Sequence, residues 1–390
     1  MIRRRRNLII ILVPCLLVVG FLLFVGIKML SFDNTISLNV TYVAPKSNFA
    51  GIEHKTDYGQ WAVALNGKSV ASSTLEPPIQ PAASTAKMIM ALAVMEKKPF
   101  AANATGETIT ITQDYYNIYA SYQALGGSTT AVQVGEEISE RDALASALIV
   151  SSNNMADTLA IWAFGSLEEY QKYATNMLSR FGIKHTTIGP DASGFNAQTT
   201  STAVDLAIIG EKVLRQPVLA EIVGSNSATV PVVGLIENTN KLLGSNGIVG
   251  IKTGYIGDAS GYCLVSGYKE GGDIITIALL GAPTRQISFS DTSELVTKAK
   301  SIIDVRELVE TGEEVGYYEG WWTGKIPVTT VKGIKGIVIS DAKATIDEEK
   351  NELAISTAET EYTTMLKVGD YPKEPTFWER FLHVFGWKKQ

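Results

Sequence analysis

The sequence predicts an α/β fold of the α+β kind, with an antiparallel sheet flanked by helices and a small all-β domain after it. Three observations point there. The alternating run Trp61-Ala-Val-Ala-Leu65, the turn pair Asn66-Gly67 and Lys68-Ser-Val-Ala-Ser72 read as a β-hairpin. Far along the chain, Gly247–Gly254, Tyr262–Gly267 and Asp273–Leu280 read as three adjacent antiparallel strands, the first two joined by the Gly257–Gly261 turn. Between these β segments lie long apolar stretches with helical spacing.

Composition bounds the possibilities. Apolar residues make up 45% of the 390 and charged residues 19%, which suits a globular chain with a sizeable core. The net charge is −6, yet the first 30 residues carry five basic and no acidic side chains, so the remainder stands near −11. That argues against a surface for nucleic acid or another polyanion. The two cysteines are Cys15, inside an apolar run, and Cys263, so no structural disulfide is expected. His54, His185 and His383 are far apart, with no metal-ligand spacing and no evident Ser-His triad.

In chain order, residues 1–7 read as a cytoplasmic N-terminus and 8–30 as a transmembrane anchor. The run Asn7–Ile27 is uncharged and spans about 30 Å as a helix, one bilayer core. Arg3, Arg4, Arg5 and Arg6 precede it, which keeps the N-terminus inside and sends the rest across. A cleaved signal peptide competes, but the run is long and no small-x-small site follows. Residues 31–50 read as a polar spacer and 51–310 as the main domain. Within that domain, Glu107–Thr112 reads as a strand, Asp114–Gly127 as a Tyr-rich surface loop and Ile138–Val150 as a helix. Met155–Phe164 reads as a second helix, a third is capped by Thr199–Thr202 and runs through Arg215, and a fourth is Asp291–Val309. After Thr311, Val, Thr, Gly and Lys dominate and turns are frequent, giving the β-domain at 311–371. Residues 372–390 form an amphipathic helix. It either packs on the β-domain or lies in membrane lipid, with aromatics buried and Lys388 and Lys389 at headgroups.

Three short motifs stand out. Ser84 follows a Pro-containing extended approach and opens the apolar segment Met88–Glu96, with Lys87 on the same face of the first turn. The plain reading is an N-cap beside a solvated lysine. The chemical one is a hydroxyl activated by an amine that can lose its proton. Ser-x-x-Lys also occurs at Ser266 and Ser340, so the spacing alone decides nothing. Ser151-Ser152-Asn153 lies between two apolar helices, where a C-cap and an N-cap would meet, or where a site on a loop would sit. Lys252-Thr253-Gly254 ends an apolar strand.

Together, Ser84-x-x-Lys87, Ser151-x-Asn153 and Lys252-Thr253-Gly254 resemble the motif set of the penicillin-recognising serine enzymes. Gly189-Pro-Asp-Ala-Ser-Gly-Phe195 and the Gly250–Gly281 strands extend the likeness to residues 55–305. The chain resembles the serine D-alanyl-D-alanine carboxypeptidases, the low-molecular-mass penicillin-binding proteins. The resemblance implies a serine β-lactamase/transpeptidase-like domain that acts extracytoplasmically on peptidoglycan stem peptides ending in D-Ala-D-Ala, with β-lactams as inhibitors and no cofactor or metal. It implies Ser84 as nucleophile, Lys87 as its base, Ser151 as proton relay and Asn153 as orienting amide. Lys252 and Thr253 would face the substrate carboxylate, with Gly254, Tyr255 and Arg285 beside it. The backbone N–H groups of Ser84 and Tyr255 would form the oxyanion hole. Lys252 would hold Lys87 neutral by repulsion and partial desolvation. The alternatives are a class A-like β-lactamase, for which the 189–196 loop offers Asp191 but no Glu, an endopeptidase or transpeptidase on the same scaffold, and an inactive membrane-anchored wall-binding protein.

Overall fold

The computed structural model describes residues 2–32, 35–47, 49–303 and 305–386 and opens with one long helix, α1 (Ile2–Leu30). Its Val13–Leu30 portion is long and apolar enough to cross a membrane, and almost none of it is buried within the protein. Within the 31–50 stretch read as a spacer, β1 (Ser37–Val40) joins the C-terminal sheet as an edge strand. Ile36 and Leu38, two residues apart, pack on that sheet's core, as period-two alternation requires.

The central sheet begins with β2 (Gln60–Leu65) and β3 (Lys68–Ser72). Asn66 and Gly67 turn the chain at φ of 49° and 76°, the left-handed pair a two-residue hairpin favours. Helices follow: α2 (Lys87–Lys97), α3 (Gln113–Ala124), α4 (Glu140–Ile149), α5 (Asn153–Phe164), α6 (Leu167–Arg180) and α7 (Ala203–Arg215). The sheet is completed by β4 (Ile251–Gly254), β5 (Tyr262–Glu270) and β6 (Asp273–Ala282), in the order β4-β5-β6-β2-β3, antiparallel throughout. Helix α8 (Arg285–Ile302) covers one face, and the layer formed by α2–α7 lies on the opposite side.

β2 shows how the two layers are specified. Trp61, Val63 and Leu65 point into the cluster with Leu295, Val296 and Ala299 of α8, whereas Ala62 and Ala64 face the α2 and α7 side. A strand buried on both faces reads as a continuous apolar run, and the small alanines give the helices close approach.

Two further segments differ from their sequence expectation. Asp114–Gly127 is not a surface loop, because Thr112 caps α3 by accepting from the Tyr115 N–H, and Tyr122 is buried on its inner side. The helix expected at Asp291–Val309 starts earlier, at the Thr284 cap, and stops at Ile302. Val305–Val309, rich in β-formers, pairs with Ile334–Ile337 instead.

The C-terminal sheet comprises β7 (Glu314–Glu319), β8 (Ile326–Thr330), β9 (Lys343–Asp347), β10 (Glu352–Ser356) and β11 (Glu361–Val368), in the order β1-β7-β8-β11-β10-β9. The last described helix, α9 (Phe377–Val384), begins with a Thr376/Glu379 capping box. Its His383 stacks on Trp321 at 4.3 Å and Phe385, just beyond it, meets Phe21 of α1 at 6.2 Å. Phe377, Trp378 and Leu382 remain exposed. Lys388 and Lys389 lie outside the described residues.

Ile277, fully buried in β6, reports on the central sheet. Ile277→Ala is expected to destabilise the domain by about 3 kcal/mol in urea unfolding; a loss under about 1 kcal/mol would contradict this packing.

Candidate active site

Ser84 is placed by backbone strain and an edge pairing. Gln80 and Pro81 pair with Thr200 and Ser201, and the Ala82 N–H donates to Thr199 O. Ala83 then adopts φ +49°, and a 3₁₀ turn, Ala83–Ala86, leads into α2. Neither the turn nor α2 carries a side-chain cap, so Ser84 is not an N-cap. Its Oγ faces Lys87 Nζ at 2.8 Å. Of the other two Ser-x-x-Lys serines, Ser340 bonds Glu359 and Ser266 lies inside β5.

Lys87 is fully buried and its Nζ also contacts Asn153 Oδ1 at 2.7 Å and the Ser193 carbonyl at 2.8 Å. Burial lowers its pKa to about 7, against an upward pull from the carboxylates of Asp191 and Asp157. The like-charge effect expected on Lys87 falls on Lys252 instead, which burial first and Lys87 second push well below the ordinary lysine value. The two amines therefore compete for charge, and desolvation does most of the work on both.

The Ser151–Asn154 turn sorts its residues by alternation. Ser152 caps α5, and Ser152 and Asn154 both bond Thr130, tying the turn to the preceding loop. Ser151, held at φ +65°, lines the cleft, and Asn153 reaches Lys87. Left-handed backbone at a serine costs about 1–3 kcal/mol and persists only where its surroundings impose it.

β4 forms the opposite wall. A Cβ on Gly254 would stand 3.2 Å from Ala83 Cβ, Ser84 N and Thr85 N, so a side chain there would push the strand and the serine turn slightly apart. Buried Lys252 donates to the Thr253 carbonyl at 3.0 Å. Thr253 Oγ1 meets Thr239 Oγ1 at 2.7 Å, and Thr239 bonds the Ile149 carbonyl at the end of α4. Tyr255 stacks on Tyr262 at 4.2 Å, with the Arg285 guanidinium 6.0 Å from that second ring. A cleft of about 150 Å³ brings together Ser84, Ser151, Thr253, Gly254, Tyr255 and Arg285, while Lys87, Asn153 and Lys252 sit buried around it.

Sequence reasoning missed Thr239, Tyr122 and Asp157; the first two reach the site from elements that carry no motif. Asp157 was within reach of inspection, being one turn after Asn153 on the same helix. Asp191 holds its own loop, accepting from the N–H groups of Ser193, Gly194 and Asn196 and from Ser193 Oγ. Among the described residues, no group of three or more His, Cys, Asp and Glu side chains is placed to hold a metal ion.

Lys87 is the most sharply testable feature. Its folded pKa lies below the unfolded value, so between about 7 and 10.5 the folded chain binds fewer protons and this group's contribution to stability rises with pH. With ¹³C-labelled lysine, its Cε resonance is expected to titrate with a midpoint of about 7; a midpoint near 10.5 would contradict a desolvated amine.

A family model described as D-alanyl-D-alanine carboxypeptidase matches residues 65–284. The D-alanyl-D-alanine carboxypeptidase DacF of Bacillus subtilis is 26% identical over 202 residues, covering 49% of this chain and 50% of that protein. This chain thus spans about half the length of that relative. A solved structure titled a peptidoglycan synthesis regulatory factor from Streptococcus pneumoniae has a TM-score of 0.66 at 18% identity, over 81% of this chain and 99% of that one. An ampicillin-bound penicillin-binding protein from Listeria monocytogenes has a TM-score of 0.52 at 26% identity, over 63% of this chain and 98% of that one. The family match runs from the central sheet through all three motifs, across more than half of the sequence, and the chain belongs to the D-alanyl-D-alanine carboxypeptidase family.

Proposed function

We propose that the chain is a membrane-anchored serine carboxypeptidase that removes the terminal D-alanine from peptidoglycan stem peptides and is acylated by β-lactams. The observation that carries this reading is the buried Lys87 amine, 2.8 Å from Ser84 Oγ and poised near neutral pH to accept its proton. The ampicillin complex of the Listeria relative supports the β-lactam part.

Ser84 attacks the carbonyl of the penultimate D-alanine and its proton passes to Lys87. The N–H groups of Ser84 and Tyr255 take the oxyanion, and Ser151 relays the proton from the Lys87 ammonium to the departing amine, which leaves Lys87 neutral again. Lys252, Thr253 and Arg285 receive the terminal carboxylate. That anion restores the charge of Lys252, and a charged Lys252 keeps Lys87 neutral, so binding prepares the base. Water then hydrolyses the acyl-enzyme.

For a β-lactamase, the 189–196 loop must supply a carboxylate free to activate deacylating water. Both Asp191 oxygens already accept from the loop's own donors, which favours slow release. α1 serves as a single-pass anchor with the site outside the cell, and α9, beside α1 with exposed aromatics, lies at the lipid interface.

The test is release of free D-alanine from a D-Ala-D-Ala pentapeptide. The full chain is expected to release it and Ser84→Ala to lose the activity by several orders of magnitude at unchanged melting temperature. Release that survives in Ser84→Ala, or no release from the wild type, contradicts the reading.

A further inference from the structure

Behind Lys87, side chains from α3, α5 and the 189–196 loop converge. Asp157 on α5 is only 5% exposed. Its Oδ1 accepts from the Ala192 N–H at 2.9 Å and its Oδ2 from the Tyr122 hydroxyl of α3 at 2.6 Å. The Tyr122 oxygen lies 3.3 Å from Ser193 Oγ, and its ring meets Phe195 edge-on at 5.5 Å. Asp191 holds the same loop from the other side, and the Gly194 backbone packs so tightly on Ala83 that a Cβ there would stand 2.1 Å from the Ala83 carbonyl. The Ser193 carbonyl, fixed between these contacts, accepts from Lys87 Nζ.

The geometry around Nζ then has one solution. A neutral amine has two N–H bonds and one lone pair. Three oxygens surround Nζ, and two of them, Asn153 Oδ1 and Ser193 O, can only accept. They take both N–H bonds, so the lone pair is left for the one oxygen that carries a proton, Ser84 Oγ. If the Ser193 carbonyl moved away, an N–H would turn toward Ser84 and the lone pair would miss it.

We propose that Asp157, together with Tyr122, is a positioning residue for Lys87: the pair clamps residues 191–194 so that the Ser193 carbonyl aims the Lys87 lone pair at Ser84, and the negative charge of the clamp steadies the ammonium that Lys87 becomes. This rests on the reading of Ser84 as nucleophile and Lys87 as base. The titratable groups that face Asp157 are Lys87 from α2, Tyr122 from α3, Tyr170 from α6 and Asp191 from the loop. With Asp191, the Asp157 carboxylate also steadies the ammonium that forms when Lys87 takes the Ser84 proton. The Tyr122 hydroxyl in turn stabilises that carboxylate.

Asp157→Asn keeps the shape and, with its amide oxygen toward Ala192, both hydrogen bonds, but removes the charge. The rate of acylation by a fluorescent penicillin is measured from pH 5 to 9 on the full chain, with melting temperature alongside. The acid limb is expected to move to lower pH by about half a unit or more, because a charge that favours protonated Lys87 is gone. The plateau rate falls several-fold, as a weaker base requires. Tyr122→Phe moves the limb in the same direction and carries the test if Asp157→Asn does not fold. Variants that lose melting temperature while the limb stays at its wild-type position overturn the positioning role and leave the Ser84/Lys87 reading intact. A wild type that does not acylate overturns both.

Discussion

Everything in the site depends on one contact, the 2.8 Å approach of the fully buried Lys87 Nζ to Ser84 Oγ at the wall of the cleft. In water a lysine is charged at neutral pH and useless as a base. Full burial changes this, since the ammonium loses its hydration and the neutral form becomes accessible. The cost is a fully buried amine that every neighbouring polar atom must satisfy. Asn153, at the start of α5, and the Ser193 carbonyl of the 189–196 loop meet that requirement.

The fold supplies that burial through close backbone approaches rather than large side chains. Gly254 lets β4 lie against the Ser84 turn, and Gly194 lets the 189–196 loop do the same from the other side. The positive φ values at Ala83 and Ser151 belong to the same design. Strained backbone stands where two serine hydroxyls face one small cleft, and the alanine-rich helical layer beneath permits the approach. The like-charged partner of Lys87 is Lys252. Under the proposed function, an arriving carboxylate would resolve their competition by pairing with Lys252.

The layers were legible in the sequence because period-two alternation and the Asn66-Gly67 turn act locally. So were the motif residues, whose spacing along one helix turn or one strand end is fixed by local geometry. What the sequence did not yield was set at long range. Ser37–Val40 reads as spacer because nothing local shows that its partner lies in Glu314–Glu319. The Asp114–Gly127 segment, dense in polar and tyrosine residues, reads as loop until the Tyr122–Asp157 contact supplies a buried side for it. Asp157 itself looks like any helix aspartate, and only the fold of the 189–196 loop over it shows what it holds. The expected repulsion of Lys87 by Lys252 had the right pair and the wrong emphasis, because burial depth cannot be read from spacing.

The most direct test of the account is the mass of the Ser84-containing peptide after the full chain meets benzylpenicillin. The account predicts a stable adduct of one intact penicillin on Ser84, absent in Lys87→Ala and persisting because Asp191 is not free to activate water. An adduct that clears within seconds, with hydrolysed penicillin accumulating, would contradict the reading of the 189–196 loop. Equal adduct formation without Lys87 would contradict the central claim itself.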